Sequence, residues 1–326
     1  MLSPALPSTE TILQAYVPSG LSGGWRRALE ELSYPEEVSE PALVQFMQDA
    51  TEVARHWAPL EVREAMSALS FDDAPACVYL SNLPIGEVGP VPSNGRRDAE
   101  KSSVSEGVLL GLAGLAGHPF AYRQELGGSL PQQIAPAYGK ERTQSSQGRD
   151  LLDAHSDFAA LRPDCRPEFL ALLGLVNECS SETIVFPVEE VIERLSAAAR
   201  QVLEQPLFRI AVPDTIHNSG VPLRPHPVLI DRTISLSSGG IEPLSTAAKA
   251  ALGELRATIR TLRGYRFAIQ PGEMLIFNNL RTVHARTAVT GKRWLQRTYF
   301  NRSLDTMREL DPTAAIRFDA ARLAWI

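Results

Sequence analysis

The amino-acid sequence predicts a mainly β protein with flanking helices, built as a sandwich or a jelly roll. Two observations lead to this fold class. From about residue 104 onward, short apolar runs suited to strands follow one another, with turn residues between them. The first hundred residues instead space their apolar positions by three and four, as helices do. Many short strands with a few inserted helices are typical of sandwiches and jelly rolls.

The composition supports an ordinary globular protein. Of 326 residues, 44% are hydrophobic and 21% are charged, which excludes disorder, collagen and coiled coil for the whole chain. A chain this long buries a large core without disulfides. The formal charge of −6 argues against a nucleic-acid-binding surface, and the chain carries no polybasic membrane anchor.

We expect one domain over residues 1–326, in three parts. Residues 1–103 form a largely helical part that packs on the core, residues 104–305 form the β core with helical insertions, and residues 306–326 form a C-terminal tail. Helices are predicted over 24–33, 40–69 with an interruption at Pro59, 104–117, 188–204 and 244–262. Strands are predicted over 76–85, 169–176, 183–188, 207–213, 265–270, 273–279 and 294–302.

Three features indicate the compartment. The three cysteines are too few and too scattered for a disulfide framework, and no Cys-x-x-Cys pair indicates zinc. The N-terminus lacks a basic stretch followed by an apolar core, so we expect no signal peptide. The longest apolar stretch, about residues 108–116, is too short to span a bilayer. Together they favour a reducing cytoplasm.

Two of the six histidines stand in unusual settings. His155 and Asp157, in DLLDAHSDF, are two residues apart, so an extended strand would point both side chains to one face. His284 follows the far end of a strand that starts at a Pro-Gly turn, in PGEMLIFNNLRTVHARTAV. Two histidines and one carboxylate suit a facial Fe(II) site with its opposite face open. Alone, the His-x-Asp pattern is weak evidence, because such short patterns often occur by chance, and a loop histidine satisfied by hydrogen bonds is the alternative.

Arg293 and Arg297 follow soon after His284 and are four residues apart. In a strand, that spacing keeps both guanidiniums on one face. Arginine binds carboxylates bidentately, and a dicarboxylate that chelates iron at one end needs a cation at the other. The alternative is a pair of exposed arginines on a polar strand face.

Taken together, these motifs resemble the clavaminate synthase-like group of Fe(II)/2-oxoglutarate dioxygenases, in the wider taurine dioxygenase superfamily. The likeness covers about residues 104–305 and is strongest to bacterial hydroxylases of free amino acids such as arginine or asparagine. It implies a double-stranded β-helix, a cupin-like jelly roll, as the core. The segments that carry it are QIAPAYGKERTQSSQGRDLLDAHSDFAALRPDCRPEFLALLGL, SSETIVF and PGEMLIFNNLRTVHARTAVTGKRWLQRTYFNRSLD.

The resemblance assigns the metal and the cosubstrate to particular residues. His155, Asp157 and His284 would bind Fe(II). Arg293 and Thr183 would hold the far carboxylate of 2-oxoglutarate. One motif departs from that of many relatives, which have His-Thr-Glu where this chain has His-Ser-Asp. Halogenases of this group lack the metal-binding carboxylate, so its presence here argues against a halogenase. Because Asp is shorter than Glu, the substrate of this protein cannot be inferred from the substrates of those relatives.

The substrate contacts are less well marked. Arg297 matches an arginine that faces the substrate or supports the cosubstrate site. Gln124 lies about where relatives hold the substrate's amino end, and Phe158 is placed to line the pocket. A surface glutamine and a core phenylalanine are the alternatives. The loop 86–103 and the turn 235–243 are candidate lids.

The resemblance implies an oxygenase that hydroxylates an unactivated C–H bond of a free amino acid or an amino-acid-derived metabolite. It would use Fe(II), 2-oxoglutarate and O2 and release succinate and CO2. Desaturation, cyclisation or epoxidation in a natural-product pathway, such as antibiotic biosynthesis, is an alternative outcome with the same cofactors. A non-redox, metal-binding cupin-like module is an alternative of another class. The expected partner is a small molecule, with no nucleic acid and no membrane.

Overall fold

The computed structural model describes residues 12–35, 39–93, 96–97, 101–212, 216 and 220–325. Its helices are α1 (Ser19–Glu30), α2 (Glu40–Trp57), α3 (Leu60–Ala68), α4 (Val104–Ala116), α5 (Val188–Arg194), α6 (Ala197–Leu203), α7 (Thr246–Thr261) and α8 (Asp305–Leu310). Its strands are β1 (Ile12–Tyr16), β2 (Cys77–Ser81), β3 (His118–Tyr122), β4 (Gln132–Ile134), β5 (Leu152–His155), β6 (Phe169–Asn177), β7 (Thr183–Pro187), β8 (Phe208–Ile210), β9 (Pro225–His226), β10 (Leu229–Ile230), β11 (Thr233–Ile234), β12 (Ile241–Pro243), β13 (Tyr265–Phe267), β14 (Met274–Asn278), β15 (Thr282–Arg286), β16 (Arg293–Asn301) and β17 (Arg317–Phe318).

Two sheets organise the molecule, and the prediction of a strand-rich core with flanking helices is confirmed. The larger sheet has the order β1-β2-β14-β6-β16-β3-β17, and β4 also pairs with β16. The smaller sheet has the order β13-β7-β15-β5. Its strands pair antiparallel, as do the central strands of the larger sheet. Two small satellite sheets, β12-β8-β9 and β10-β11, complete the strand pairing.

The core has two layers, one on each face of the larger sheet. Along β6, Leu170 and Leu172 join the cluster that includes the smaller sheet, whereas Phe169 and Ala171 join the cluster under the helices. This alternation follows from the two-residue period of a strand. Because both faces are buried, β6 reads in sequence as a continuous apolar run.

The same alternation on β16 positions the polar side chains described below. Trp294 and Phe300 face the helices, whereas Leu295 and Tyr299 face the space between the sheets. Arg293 and Arg297 have the same parity as that second pair, and Arg293, Leu295 and Arg297 line one cavity. Arg293 and Arg297 are therefore buried between the sheets.

Several elements differ from the sequence-based prediction. The interruption predicted at Pro59 is confirmed, but it fully separates two helices, because the chain leaves α2 at Ala58 and Pro59 is the N-cap residue of α3. The helix predicted over 188–204 also divides, since Ser196 caps α6 through the Ala199 N–H. His284 follows the strand that starts after the Pro-Gly turn, β14, as predicted, but it lies at the centre of a further strand, β15, that was not predicted. The strands β1, β3 and β4 were missed because such short segments carry little periodicity.

Helix α4 is buried between α2 and the larger sheet, which explains its glycines. A Cβ at Gly111 would lie 2.4 Å from the Ala50 carbonyl oxygen of α2. The two helices therefore approach to a distance that only glycine permits at this position. Glycine lowers intrinsic helix stability, so it is retained here for packing.

Among the described residues, no helix is both long enough and apolar enough to cross a membrane. All three cysteines are free thiols; Cys77 and Cys165 are buried and Cys179 is half-buried. Most of the N-terminal segment considered for a signal sequence, residues 1–11, lies outside the described residues.

Replacing Gly111 by alanine is expected to destabilise the protein. The added methyl group meets the backbone of α2, so the helices must separate, at a cost of about 1–3 kcal/mol in the free energy of unfolding. The matched control is Gly253→Ala in α7, where a Cβ meets nothing within 4 Å. That change is expected to be neutral or to stabilise by up to about 1 kcal/mol. Urea denaturation of both variants checks this, and equal effects would contradict the packing argument.

Candidate metal centre and its surroundings

Two histidines and one aspartate converge between β5 and β15. His284 lies directly opposite His155 in the antiparallel pair, with ring centroids 4.2 Å apart. Oδ1 of Asp157 lies 3.4 Å from Nε2 of His155 and 3.7 Å from Nε2 of His284. One nitrogen or oxygen atom from each residue lies within 4.8 Å of the others. This arrangement of two imidazoles and one carboxylate could hold a metal ion.

Asp157 reaches the cluster from a turn, because β5 ends at His155. Asn279 fixes this turn from the far side: its Oδ1 accepts from the Asp157 N–H at 2.8 Å, and its Nδ2 donates to the Asp157 carbonyl at 3.1 Å. Nδ2 also donates to the carbonyl of Pro167 at 3.0 Å. The side chain of Asn279, and not a continuation of β5, therefore positions the Asp157 carboxylate. We call this set of hydrogen bonds the clamp.

The ring nitrogens of both histidines are arranged to serve as metal ligands. Nδ1 of His155 lies 2.8 Å from the carbonyl oxygen of Asp153, and since a carbonyl only accepts, Nδ1 carries the proton. Nε2 then presents its lone pair to the cluster. Burial, with the nearby ring of His155 as a second cause, lowers the pKa of His284 to about 3. Its ring is therefore uncharged at neutral pH.

A buried ionic network adjoins the cluster. Arg297 donates through Nη1 to Oδ2 of Asp157 at 2.8 Å, through Nη2 to Oε1 of Glu125 at 2.6 Å and through Nε to Oε1 of Gln132 at 2.6 Å. The Tyr299 hydroxyl lies 2.8 Å from Oδ2 of Asp157. Burial opposes ionisation of Asp157, but the guanidinium of Arg297 and the two imidazoles hold its pKa well below its usual range. The carboxylate is therefore charged.

Glu125 was missed by sequence reasoning, which chose the neighbouring Gln124. The side chain of Gln124 faces the C-terminal segment instead, donating to Asp319 at 2.6 Å and accepting from the Ala320 N–H at 3.0 Å. Glu125 is buried and accepts from Arg297 and from Gln132. The sequence carried no local signal for Glu125, because its partner Arg297 is 172 residues away.

One cation that lines the cavity, Arg293, has no counter-ion among the described residues. Arg293 is 4% exposed, its Nε has no hydrogen-bond partner, and it forms no ion pair with any described residue. Burial, assisted by the charge of Arg286, lowers its pKa to about 9. Thr183 lines the same cavity, as do His155 and His284. An unpaired buried guanidinium is costly, so this part of the cavity is suited to an anion.

Arg286 is a second cation here that the sequence analysis did not single out. It donates to the carbonyl oxygens of Asp150 at 2.6 Å, Thr287 at 3.2 Å and Ser146 at 3.5 Å. It thereby ties the segment before β5 to β15. The two-residue period of a strand could have found it, because it lies two residues after His284.

Phe158 and two candidate lids were also predicted to lie near the substrate. The ring of Phe158 is buried and lies 3.6 Å, centroid to centroid, from that of Tyr122. The turn 235–243 is joined to the metal motif, because the Ser156 N–H donates to the Leu236 carbonyl at 2.8 Å and its hydroxyl donates to the Ile234 carbonyl at 3.0 Å. Of the loop 86–103, residues 94–95 and 98–100 lie outside the described residues.

Comparison with known proteins places this geometry among oxygenases. Residues 97–299 match the family described as taurine catabolism dioxygenase TauD, TfdA family. An L-asparagine oxygenase of Streptomyces coelicolor is 29% identical over 311 residues, which cover 91% of this chain and 90% of that protein. An L-lysine 3-hydroxylase of Catenulispora acidiphila is 25% identical over 185 residues, or 52% of this chain and 50% of that protein.

Solved structures agree with these matches. An asparagine oxygenase in complex with Fe(II), 2S,3S-3-hydroxyasparagine and succinate superposes with a TM-score of 0.81 at 26% identity, covering 94% of this chain and 98% of that one. The non-heme iron oxygenase OrfP, in complex with Fe and alpha-ketoglutaric acid, has a TM-score of 0.78 at 23% identity, covering 96% and 100%. The second likeness concerns the fold.

Removing the Asn279 amide is expected to loosen the turn at Asp157. Asn279→Ala leaves one buried backbone N–H and two carbonyls without their partners, which should lower the free energy of unfolding by about 1–3 kcal/mol. Gln45→Ala, which removes an exposed amide from α2, is the control and should stay within about 0.5 kcal/mol. Urea denaturation measures both, and a wild-type-like Asn279→Ala would show that the clamp is dispensable.

Proposed function

The chain belongs to the TauD/TfdA family of dioxygenases, and from this premise we propose that it hydroxylates an unactivated C–H bond of a free amino acid or an amino-acid-derived metabolite. It is an Fe(II)- and 2-oxoglutarate-dependent enzyme. The observation that carries the proposal is Arg293, a buried guanidinium with no carboxylate partner among the described residues, which shares a cavity with His155 and His284. A dicarboxylate cosubstrate supplies the missing charge.

The residues present fit both cofactors. His155, Asp157 and His284 are the ligands we assign to iron, since neutral imidazole and carboxylate suit Fe(II). Arg293 and Thr183 are the residues we assign to the far carboxylate of 2-oxoglutarate, one by its guanidinium and one by its hydroxyl. Bound iron supplies the redox chemistry that couples consumption of 2-oxoglutarate and O2 to hydroxylation.

The chain's own contribution is to hold these groups and to keep water out. Leu170, Leu172 and Leu295 line the cavity between the candidate metal ligands and Arg293. Apolar walls strengthen the attraction between a guanidinium and a carboxylate, because no water competes for either group.

The substrate's amino-acid end is assigned to Arg297 and Glu125. These residues are buried, carry opposite charges and lie beside Asp157. A zwitterionic amino acid carries a carboxylate for the guanidinium and an ammonium for the carboxylate, so it can replace their mutual contact without leaving either charge unpaired. Asparagine and lysine, named for the two relatives, differ in their side chains and share this end. We therefore assign to Glu125 the contact with the substrate's amino group that the sequence had suggested for Gln124. Phe158 remains a predicted lining residue of the substrate site.

The double-stranded β-helix is the finer description we propose for the core. The larger and smaller sheets share one hydrophobic cluster, and the candidate metal ligands lie on strands and turns that face it. The central strands pair antiparallel, as a jelly roll requires.

The cosubstrate site is tested by adding Fe(II) and then 2-oxoglutarate to the apoprotein without oxygen. A visible charge-transfer band that needs both additions is expected. In Arg293→Ala, the 2-oxoglutarate concentration that gives half of the maximal band absorbance should rise by roughly 10- to 100-fold. This factor corresponds to the loss of a charge-assisted hydrogen bond. Arg209→Ala, which changes an exposed arginine on β8, is the control. Iron binding without any band in the wild type would favour the non-redox cupin-like module.

The amino-acid site is tested with a panel of free amino acids, by following succinate release and product mass. The best substrate should gain one oxygen atom, whereas loss of two hydrogens would indicate desaturation or cyclisation. Its N-acetyl and carboxamide derivatives should each lose at least about tenfold in kcat/KM, because each leaves one buried charge unmatched. Equal turnover of the free and N-acetylated forms would contradict the assignment to Glu125.

A further inference from the structure

Tyr299 carries a hydroxyl that is buried against two carboxylates. It lies on β16, two residues after Arg297, and is 1% exposed. Its hydroxyl oxygen is 2.8 Å from Oδ2 of Asp157 and 3.0 Å from Oε2 of Glu125. The hydroxyl has one proton, so it donates to one of these oxygens at a time.

The two oxygens of Asp157 have different surroundings. Oδ1 faces Nε2 of His155 and Nε2 of His284, at 3.4 and 3.7 Å. Oδ2 faces the other way and accepts from Arg297 and Tyr299, each at 2.8 Å. A carboxylate with one oxygen engaged in this way offers only the other to a metal.

We propose that Tyr299 is a positioning residue that keeps Asp157 a monodentate metal ligand. The inference deepens the proposed function and rests on it. Two histidines and one carboxylate would hold iron on one face and leave its other positions for the cosubstrate and O2. A second oxygen of Asp157 would take one of those positions. The terminal torsion of an aspartate is intrinsically broad, so a donor on Oδ2 is needed to hold one orientation.

Arg297 alone does not supply this restraint. Its guanidinium is shared with Glu125 and Gln132, and the proposed function makes it a contact of the substrate's carboxylate. Tyr299 is assigned no direct contact with the substrate, although its hydroxyl also lies 3.0 Å from Oε2 of Glu125. Its ring is held edge-on by Tyr122 at 6.0 Å and by Phe158 at 5.8 Å, so the hydroxyl has a fixed direction. When a substrate ammonium group engages Glu125, the single hydroxyl proton is left to Oδ2 of Asp157.

The test uses the full chain loaded with Co(II), whose visible absorption reports coordination number and geometry. Tyr299→Phe removes the hydroxyl and keeps the ring. The dissociation constant for Co(II) should rise by about 10-fold or more, within the range found for outer-shell partners, and the absorption should change in shape and intensity. Tyr122→Phe is the matched control, because it removes a hydroxyl of the same aromatic cluster that donates to the Cys165 carbonyl at 2.7 Å. It should keep wild-type affinity and absorption.

Thermal melts of the apoproteins accompany the titrations and show that both variants are folded. Unchanged Co(II) affinity and absorption in Tyr299→Phe would overturn the inference. Equal losses in the two variants would also overturn it, because they would reflect packing of the aromatic cluster. A wild-type protein that binds neither metal nor 2-oxoglutarate would instead overturn the proposed function, and the inference with it.

Discussion

The pairing of β15 with its two neighbours is the constraint on which the site depends. It places His284 opposite His155 on one side and opposite Val185 on the other. Since strand side chains alternate between faces, a slip of one residue would turn the imidazole away from the cavity. The apolar residues of β15 prevent such a slip, because Val283 and Ala285 must stay buried. The position of one ring therefore follows from packing along the whole strand.

Charge balance between the sheets is the second organising feature. The buried groups described above comprise three guanidiniums, on Arg286, Arg293 and Arg297, and two carboxylates, on Asp157 and Glu125. Arg297 is matched by both carboxylates, and Arg286 is satisfied by backbone carbonyls. The excess positive charge is thus concentrated at Arg293. A divalent cation near Asp157 would add to it, so anions are favoured in this cavity.

The sequence predicted the site where chemistry and strand period acted together. The spacing of Arg293 and Arg297 correctly put them on one face of β16, and the six scarce histidines left few choices for a metal cluster. It could not predict Glu125, whose partner Arg297 is 172 residues away. The clamp of Asn279 on the turn of Asp157 spans 122 residues and has no local pattern either. Such contacts arise only once the sheets face each other.

The backbone bond between Ser156 and Leu236 has a consequence for redesigning the protein. It joins the metal motif to the start of the turn 235–243, while Ser237–Gly240 continue beyond it around a separate cavity beside β5. The turn is therefore held at Leu236 and again at Gly240, whose carbonyl accepts from the Ala211 N–H at 3.0 Å. A combinatorial library confined to Ser238 and Gly239 would alter the rim near β5 and leave both anchoring points intact. Substitutions that included Ile234 would instead disturb the hydrogen bond that its carbonyl accepts from the Ser156 hydroxyl, next to His155.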